Sequence, residues 1–470
     1  MKIFSVSQIK DWERYSKNTQ NISETDLIER AATACFQWLD KEKLLTRQFY
    51  IFCGKGNNGN DGLALGHILE KTGCSVSIIK INSDNIQSAI ENFSHLNADD
   101  IIIDALFGTG LSRNLEGDFV WLIEKINTHK NVISIDIASG LFADEPTSGV
   151  AVKPAVTLTF ESYKLAFLRP ENESYTGKIH ILNIGLNKEF YDSEPAKYSI
   201  TEFGEMKDIL RPRKSFSNKG NFGYAALFCG SKGMMGAAVL STEGCLSVGP
   251  GKITTHVPEV GYTIIQSSAP EAMCVTSGEN FISETGNLSK YTAIGLGCGI
   301  GINNDNKWLE NILNYNVPLI IDADALNRIA QLKWQNKIPQ GSIITPHPGE
   351  FKRLFQTEAS IEAAMKKAEE LGIYILLKGN FTLIACPDGF GYFNPTGNSG
   401  MAKGGMGDVL TGIITGLRAQ GYDALQSCRL GAFLHGLSGD ICAKEYSQEF
   451  MQARDVIKCM YKAWNTVKGS

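Results

Sequence analysis

Apolar and polar positions along this chain follow two periods, and the switches between them mark out its elements. From Ser5 to Leu44 apolar residues recur at helical spacing. Short apolar runs then fall at Phe49–Cys53, Ser75–Ile81, Asp100–Leu106, Val132–Ile137 and Ala155–Thr159, with helical patterns between several of them, Leu63–Lys71 among these. Strands alternating with helices predict a parallel sheet covered on both faces. Glu189–Ser217 is polar and irregular, and the stretch RPRKSFSNKGNFG from Arg211 is basic and turn-rich, which places a domain boundary near residue 212. The same grammar restarts at Tyr224–Cys229. It continues with strands at Ala293–Leu296, Leu319–Asp322, Ser342–Thr345, Tyr374–Lys378 and Thr382–Cys386. A glycine-rich run, Gly397–Gly407, opens a helix from Asp408 to near Ala419. The expected fold class is α/β with two doubly wound domains, residues 1–212 and 213–470.

Composition narrows the setting. A chain of 470 residues, 43% hydrophobic, can bury more than one core. Its 45 basic and 50 acidic side chains leave a net charge of -5, which gives no electrostatic case for a nucleic-acid partner. The 11 cysteines form no CxxC pair, which argues for buried thiols in a reducing compartment rather than a disulfide framework or zinc site. The start, MKIFSVSQIKDWERYSKN, lacks the apolar core of a signal peptide. No stretch reaches the ~18 apolar residues of a membrane span. A soluble cytoplasmic protein with no membrane partner is expected.

The first candidate chemistry lies at strand ends. GKGNNGNDG, Gly54–Gly62, sits where a strand hands over to a helix, the edge at which parallel sheets bind ligands. Glycines let the backbone approach a ligand, the helix start suits phosphate, and Asn57, Asn58 and Asp61 add oxygens that suit a hard cation. A plain glycine-rich turn is the alternative for this loop alone. IIIDALFGTGL and VISIDIASG then place Asp104, Asp136 and Ser139 at further strand ends, and acids there are costly to bury without partners. The order GxGNNGxDG, DALFGTGL, DIxSG resembles the NAD(P)H-hydrate epimerase domain over nearly all of residues 1–205. That resemblance implies a Rossmann-like fold with a potassium ion beside the substrate. By motif, Asn57, Asn58, Gly59, Asn60 and Asp61 would contact the substrate. Gly108, Thr109, Gly110, Leu111, Ser112, Arg113 and Asn114 would hold its phosphates. Asn58, Asp104 and Ser139 would ligate potassium, and Asp136 would face the reacting ring as the catalytic group. Lys164, in ESYKLAF, matches a family lysine without an assigned role. The family commonly has glycine where this chain has Asn60, a residue that tolerates left-handed backbone.

The second lies in NSGMAKGGMGDVLTGIITG, Asn398–Gly416. Glycines 404, 405 and 407 let backbone N–H groups converge at a helix start, a nest for phosphoryl charge, and Asp408 sits beside it to move a proton. Helix capping is the alternative role for Asp408. The motif resembles the ribokinase-like superfamily. With GSKGMMGAAVL, GLGCGIG, IIDADAL, TPHPGEF and LLKGNFTLI it is similar to the ADP/ATP-dependent NAD(P)H-hydrate dehydratases over about residues 213–470. That resemblance implies a hydrate pocket lined by Ala237, Gly301, His347 and Asp408, the last catalytic. It implies a nucleotide site on Lys378, Gly379, Asn380, Phe381, Thr382 and Gly407, with magnesium and with ADP as co-substrate. His347, flanked by prolines, has the alternative of locking a turn. Asp322 and Asp324 either shape the site or serve its metal.

Together the halves imply repair of hydrated nicotinamide cofactors, NADHX and NADPHX: epimerisation of the R and S forms, then dehydration of the S form. Similar fused enzymes imply a homo-oligomer. One rival is a ribokinase-like kinase for a vitamin precursor, disfavoured by TPHPGEF and KGxxT occurring together. The other is a non-catalytic binding module in the first half, disfavoured by Asn58, Asp104, Asp136 and Ser139.

Overall fold

A computed structural model describes every residue except 83, 84, 92, 94, 95, 302–304, 316, 318 and 470. The chain divides into two compact units, Met1–Lys197 and Tyr198–Ser470.

In the first unit the helical pattern expected from Ser5 to Leu44 is two helices, α1 (Val6–Gln20) and α2 (Glu24–Lys41), each opened by a serine capping box. Asn21, left-handed at φ 54°, separates them. Six strands follow: β1 (Gln48–Cys53), β2 (Ser75–Lys80), β3 (Ile101–Ala105), β4 (Val132–Ile135), β5 (Val156–Phe160) and β6 (Lys178–Leu182). They pair in the order β2-β1-β3-β4-β5-β6, all parallel. Side-chain alternation sends Phe49 and Ile51 into a core shared with Leu65 of α3 (Asn57–Lys71) and Ala32 of α2. Phe52 points the other way, toward Leu122 and Ile123 of α4 (Asp118–Ile126). Both faces are thus covered, and the strand ends bearing Asp104 and Asp136 form one edge.

The second unit begins earlier than residue 212. β7 (Tyr198–Ile200) pairs in parallel with β16 (Gly391–Asn394), and Phe203 packs edge-on against Phe433 at 4.9 Å. The basic turn is structural: Arg211 stacks over Tyr422 and Arg213 over Phe222. The remaining strands are β8 (Tyr224–Phe228), β9 (Lys252–Val257), β10 (Met273–Thr276), β11 (Ala293–Leu296), β12 (Leu319–Ile321), β13 (Ile343–Ile344), β14 (Tyr374–Leu377) and β15 (Thr382–Ala385). Their order from β7 is β7-β16-β15-β14-β13-β12-β11-β8-β9-β10. Pairing is parallel except where β15 runs antiparallel to both neighbours. On one face α5 (Met235–Ser247) and α6 (Met406–Ala419) approach closely. A Cβ on Gly412 would lie 2.0 Å from Ser241 O, so only glycine permits the contact that aims the start of α6 at the sheet edge. Among the described residues no helix is long and apolar enough to cross a membrane.

Candidate active sites

In the first unit the Gly54–Gly62 loop is a close-packed turn. A Cβ on Gly59 would lie 1.9 Å from Gly54 O, and one on Gly54 would lie 1.9 Å from Leu106 O. The turn delivers α3 with Gly56 as its cap and no side chain satisfying its first amides. These amides border a cavity of about 390 Å³ lined by Asn57, Asn58, Asp61, Gly108, Thr109, Gly110, Leu111 and Asp136. Gly59 lies beneath the turn, and Asn60, Ser112, Arg113 and Asn114 are exposed outside the lining. Asn60 has ordinary helical backbone within α3, so its position asks nothing special of asparagine.

Asp136 closes β4 at φ 64°, a conformation costly for a non-glycine residue and concentrated at functional sites. Its Oδ1 accepts from Lys164 Nζ at 2.6 Å, and Lys164, buried, also donates to Thr159 Oγ1 at 2.7 Å and to the Phe160 carbonyl at 3.1 Å. Lys164 therefore belongs to the site. So does Glu13 of α1, which the sequence reading did not single out. Burial raises the Glu13 carboxyl, Asp136 adds to this, and Lys164 opposes it. Burial likewise pushes Asp61 up to about 8, with Asp136 and Glu13 acting in the same direction.

Asp104, wholly buried on β3, accepts from Ser134 Oγ (2.7 Å), Ser139 N (2.9 Å) and Ser139 Oγ (2.6 Å). Burial still raises its carboxyl against these bonds. The Phe107 carbonyl accepts from Asn58 Nδ2 at 2.9 Å and from Ser139 Oγ at 3.3 Å, so Asn58, Asp104 and Ser139 meet around one backbone segment. Asn58 Oδ1 is buried with no hydrogen-bond partner.

In the second unit Asp408 is the third residue of α6, whose cap is Gly405 at φ 92°. Its carboxylate is therefore not the cap of that helix. Burial pushes it up to about 6; Asp322 and Asp324 push the same way, while a Cys298 hydrogen bond and Lys378 oppose. Asp322, at the end of β12, accepts from Lys378 Nζ at 2.8 and 3.0 Å and from Thr411 Oγ1 at 2.7 Å. A Cβ on Gly407 would lie 3.2 Å from Lys378 Nζ, so this glycine lets the helix start rest on the ion pair. Burial lowers the Lys378 ammonium, but Asp322 and Glu350 outweigh it and hold the charge. Gly379 to Thr382 form the hairpin turn between β14 and β15, with Thr382 Oγ1 donating to Gly379 O at 3.2 Å; Gly379 and Asn380 are exposed and Phe381 is half-buried.

Gly301 donates its N–H to Asp324 Oδ2 at 2.9 Å, and Ala237 abuts the same loop at Gly299. His347 caps the helix Pro348–Phe355: its Nδ1 accepts from Gly349 N at 3.0 Å, and Glu350 Oε2 accepts from His347 N at 2.9 Å. This turn-locking role leaves Nε2 to carry the proton, 3.5 Å from Glu350 Oε1. His435 was not foreseen. It is buried on the long helix from Ala424 to Phe450, and burial and the Lys378 charge push it down to about 4, so it stays neutral.

Two doubly wound units, each gathering carboxylates and a lysine that pairs with one of them at the carboxyl edge of its sheet, define a class: a Rossmann-like domain joined to a ribokinase-like one. Comparison with known proteins agrees. Residues 225–462 match the family described as NAD(P)H-hydrate dehydratase, and residues 24–166 match that described as YjeF-related protein N-terminus. The bifunctional NAD(P)H-hydrate repair enzyme Nnr of Thermofilum pendens is 31% identical over 100% of this chain and 97% of its own. The Escherichia coli enzyme of that name is 29% identical over 98% of this chain and 94% of its own. The crystal structure of an ADP/ATP-dependent NAD(P)H-hydrate dehydratase from Bacillus subtilis, co-crystallised with ATP and Mg2+, is similar over 57% of this chain and 98% of that one. The identity is 31% and the TM-score 0.51. The chain belongs to the family of bifunctional NAD(P)H-hydrate repair enzymes.

Proposed function

We propose that the first unit interconverts the R and S forms of NAD(P)H hydrate and that the second dehydrates the S form to NAD(P)H at the expense of ADP. Asp408 carries the reading: a carboxyl near neutrality, free of a capping role, at an open helix start beside the Lys378–Asp322 pair. It takes the proton from the C6 hydroxyl as that oxygen attacks the terminal phosphoryl group of ADP. Lys378 and the amides near Gly407 hold the phosphoryl charge. AMP departs; phosphate then leaves C6 as a proton is lost from C5, and the ring double bond returns.

In the first unit the C6 hydroxyl leaves as water and water returns on the other face. Asp61, kept largely protonated at neutral pH, gives the proton. Asp136, fixed by Lys164, takes one from the returning water. Potassium fits the unpartnered Asn58 Oδ1: this atom, Asp104 and Ser139 would hold the ion, which supplies positive charge beside the phosphate loop Gly108–Asn114. Among the described residues no group of three or more His, Cys, Asp or Glu could hold a metal. Magnesium would therefore take most of its ligands from the nucleotide phosphates. The free cysteines fit a cytoplasmic setting, and the reading includes a homo-oligomer.

The test is recovery of reduced-nicotinamide absorbance from mixed R and S NADHX, with and without ADP and magnesium. Full ADP-dependent recovery, faster than spontaneous epimerisation, is expected. Recovery stalling at the S fraction overturns the epimerase role, and no recovery with ADP or ATP overturns the dehydratase role.

A further inference from the structure

The nicotinamide end of the substrate accounts for only part of a dinucleotide, and the second unit has a further cavity of about 730 Å³ beside it, large enough for a nucleotide moiety. Its lining includes Gly301, one of the residues expected to line the hydrate pocket. Phe281 forms one wall, with a ring edge so close to Gly301 that a Cβ there would meet it at 2.9 Å. That ring is 39% exposed, an open aromatic face on a concave surface. Lys232 stands at the same wall, its backbone N–H bound to Asn280 O at 2.9 Å. Across the cavity Arg353 Nε donates to Asn327 Oδ1 at 2.8 Å, which fixes the guanidinium and leaves its terminal nitrogens available. A Cβ on Gly349 would lie 2.8 Å from His347 Cε1 and 3.5 Å from Arg353 Nη1, so the arginine stands next to a predicted hydrate-pocket residue.

The charge of this cavity is lopsided. Asp324 is its one lining carboxylate, and its Oδ2 is occupied by the Gly301 N–H. Among the described residues neither Lys232 nor Arg353 has a carboxylate within 4.0 Å. An open aromatic face with two unpaired cations is the chemistry that recognises a purine carrying an extra phosphate. We infer that this cavity seats the adenosine half of the substrate, with Phe281 against the base and Lys232 and Arg353 on the 2′-phosphate, so that the dehydratase prefers NADPHX to NADHX. The inference rests on the second unit being the dehydratase proposed above.

The experiment compares initial rates on (S)-NADPHX and (S)-NADHX with saturating ADP and magnesium, in the full chain. The wild type is expected to favour NADPHX by about tenfold in kcat/KM, the size of one to two charge-assisted hydrogen bonds. Lys232→Ala/Arg353→Ala should bring that ratio to about one through KM, with kcat on NADPHX little changed. Both side chains are exposed, and a thermal melt checks that the variant is folded. Phe281→Ala should raise KM for both hydrates alike. Equal wild-type efficiencies, or a ratio unmoved by the double substitution, would overturn the inference. So would equal losses on both hydrates, which would put the cations on the diphosphate bridge. Absence of ADP-dependent turnover on either hydrate in the wild type would instead strike down the dehydratase reading, and the inference with it.

Discussion

Replacing Asp408 by asparagine keeps the shape of the side chain and removes its ability to take a proton. Burial holds this carboxyl near 6, so it is almost wholly ionised at about pH 7.5 and about one-tenth ionised at about pH 5. If it is the base for the C6 hydroxyl, wild-type kcat/KM with ADP should fall about tenfold between those two values as the carboxylate protonates. Asp408→Asn should lose a further factor of about 10²–10⁴ in kcat, the usual contribution of a positioned base, with KM for the hydrate changed only a few-fold. The loss must not come from unfolding, and linkage supplies the control. A carboxyl raised in the folded state binds its proton more tightly there than in the unfolded chain. Its ionisation therefore costs stability as pH rises from about 4 through about 6. The asparagine variant escapes that cost and should melt no lower than wild type at about pH 7.5. The assay is reduced-nicotinamide absorbance recovered from (S)-NADHX with ADP and magnesium, with consumption of the R form as an internal control on the other unit. Retention of more than about a tenth of wild-type turnover, or a wild-type profile flat across this range, would refute the role given to Asp408.

Other outcomes follow from the same geometry. Lys378→Met strands the buried Asp322 with only Thr411 and a backbone amide, so it should cost about 2–3 kcal/mol in a denaturant titration and abolish ADP-dependent turnover. Gly59→Ala forces a Cβ to 1.9 Å from Gly54 O; the first unit's melting transition should fall by about 3 kcal/mol equivalent, with loss of R-form consumption. Potassium chloride should stimulate R-form consumption over sodium chloride in the wild type, and Asn58→Ala, which removes the unpartnered oxygen, should erase the difference. Asp61, raised to about 8 by burial, makes the folded state lose stability as pH climbs from about 4 to about 8. Asp61→Asn should flatten that decline in melting temperatures taken across the range.

Much of the fold is legible because each buried parallel strand reads as an apolar run stopped by glycines or an acid. Phe49–Cys53 and Ala293–Leu296 emerge within a residue of their observed bounds for that reason. Tyr198–Ile200 is too short to show a period, so the second unit's start fell at 212 rather than beside Lys197. The single helical pattern at the beginning hid a break because both segments keep one apolar face and only Asn21 turns left-handed. Site residues divide the same way. Asp104, Asp136, Ser139 and Asp408 sit in motifs at strand or helix ends, where local sequence announces the chemistry. Glu13 reads as one more charge on an amphipathic helix, and only the tertiary fold carries it to Asp61 and Asp136. His435 likewise resembles any apolar-face histidine until Lys378 is found to act on it.

The two sites solve one problem alike, although their sequences share no motif. Each places a lysine-paired acid and a second acid raised by burial within one cleft. A lysine paired with one carboxylate separates the roles. In the first unit Lys164 lies 2.6 Å from Asp136 while Asp61, without such a partner, rises to about 8. In the second Lys378 grips Asp322 at 2.8 and 3.0 Å, and Asp408, nearer the glycine-bounded helix start, rises only to about 6. The gap between about 8 and about 6 follows the chemistry asked of each. An epimerase that expels hydroxyl as water needs a proton already in place at neutral pH, whereas a phosphoryl acceptor must have its proton removed by a base that is mostly ionised there. Weakening either lysine should therefore move its own site's rate profile in the same direction: weakening Lys164, whose charge also lowers Glu13, should shift the epimerase optimum upward, and weakening Lys378 should shift the dehydratase's acid limb upward, toward neutrality.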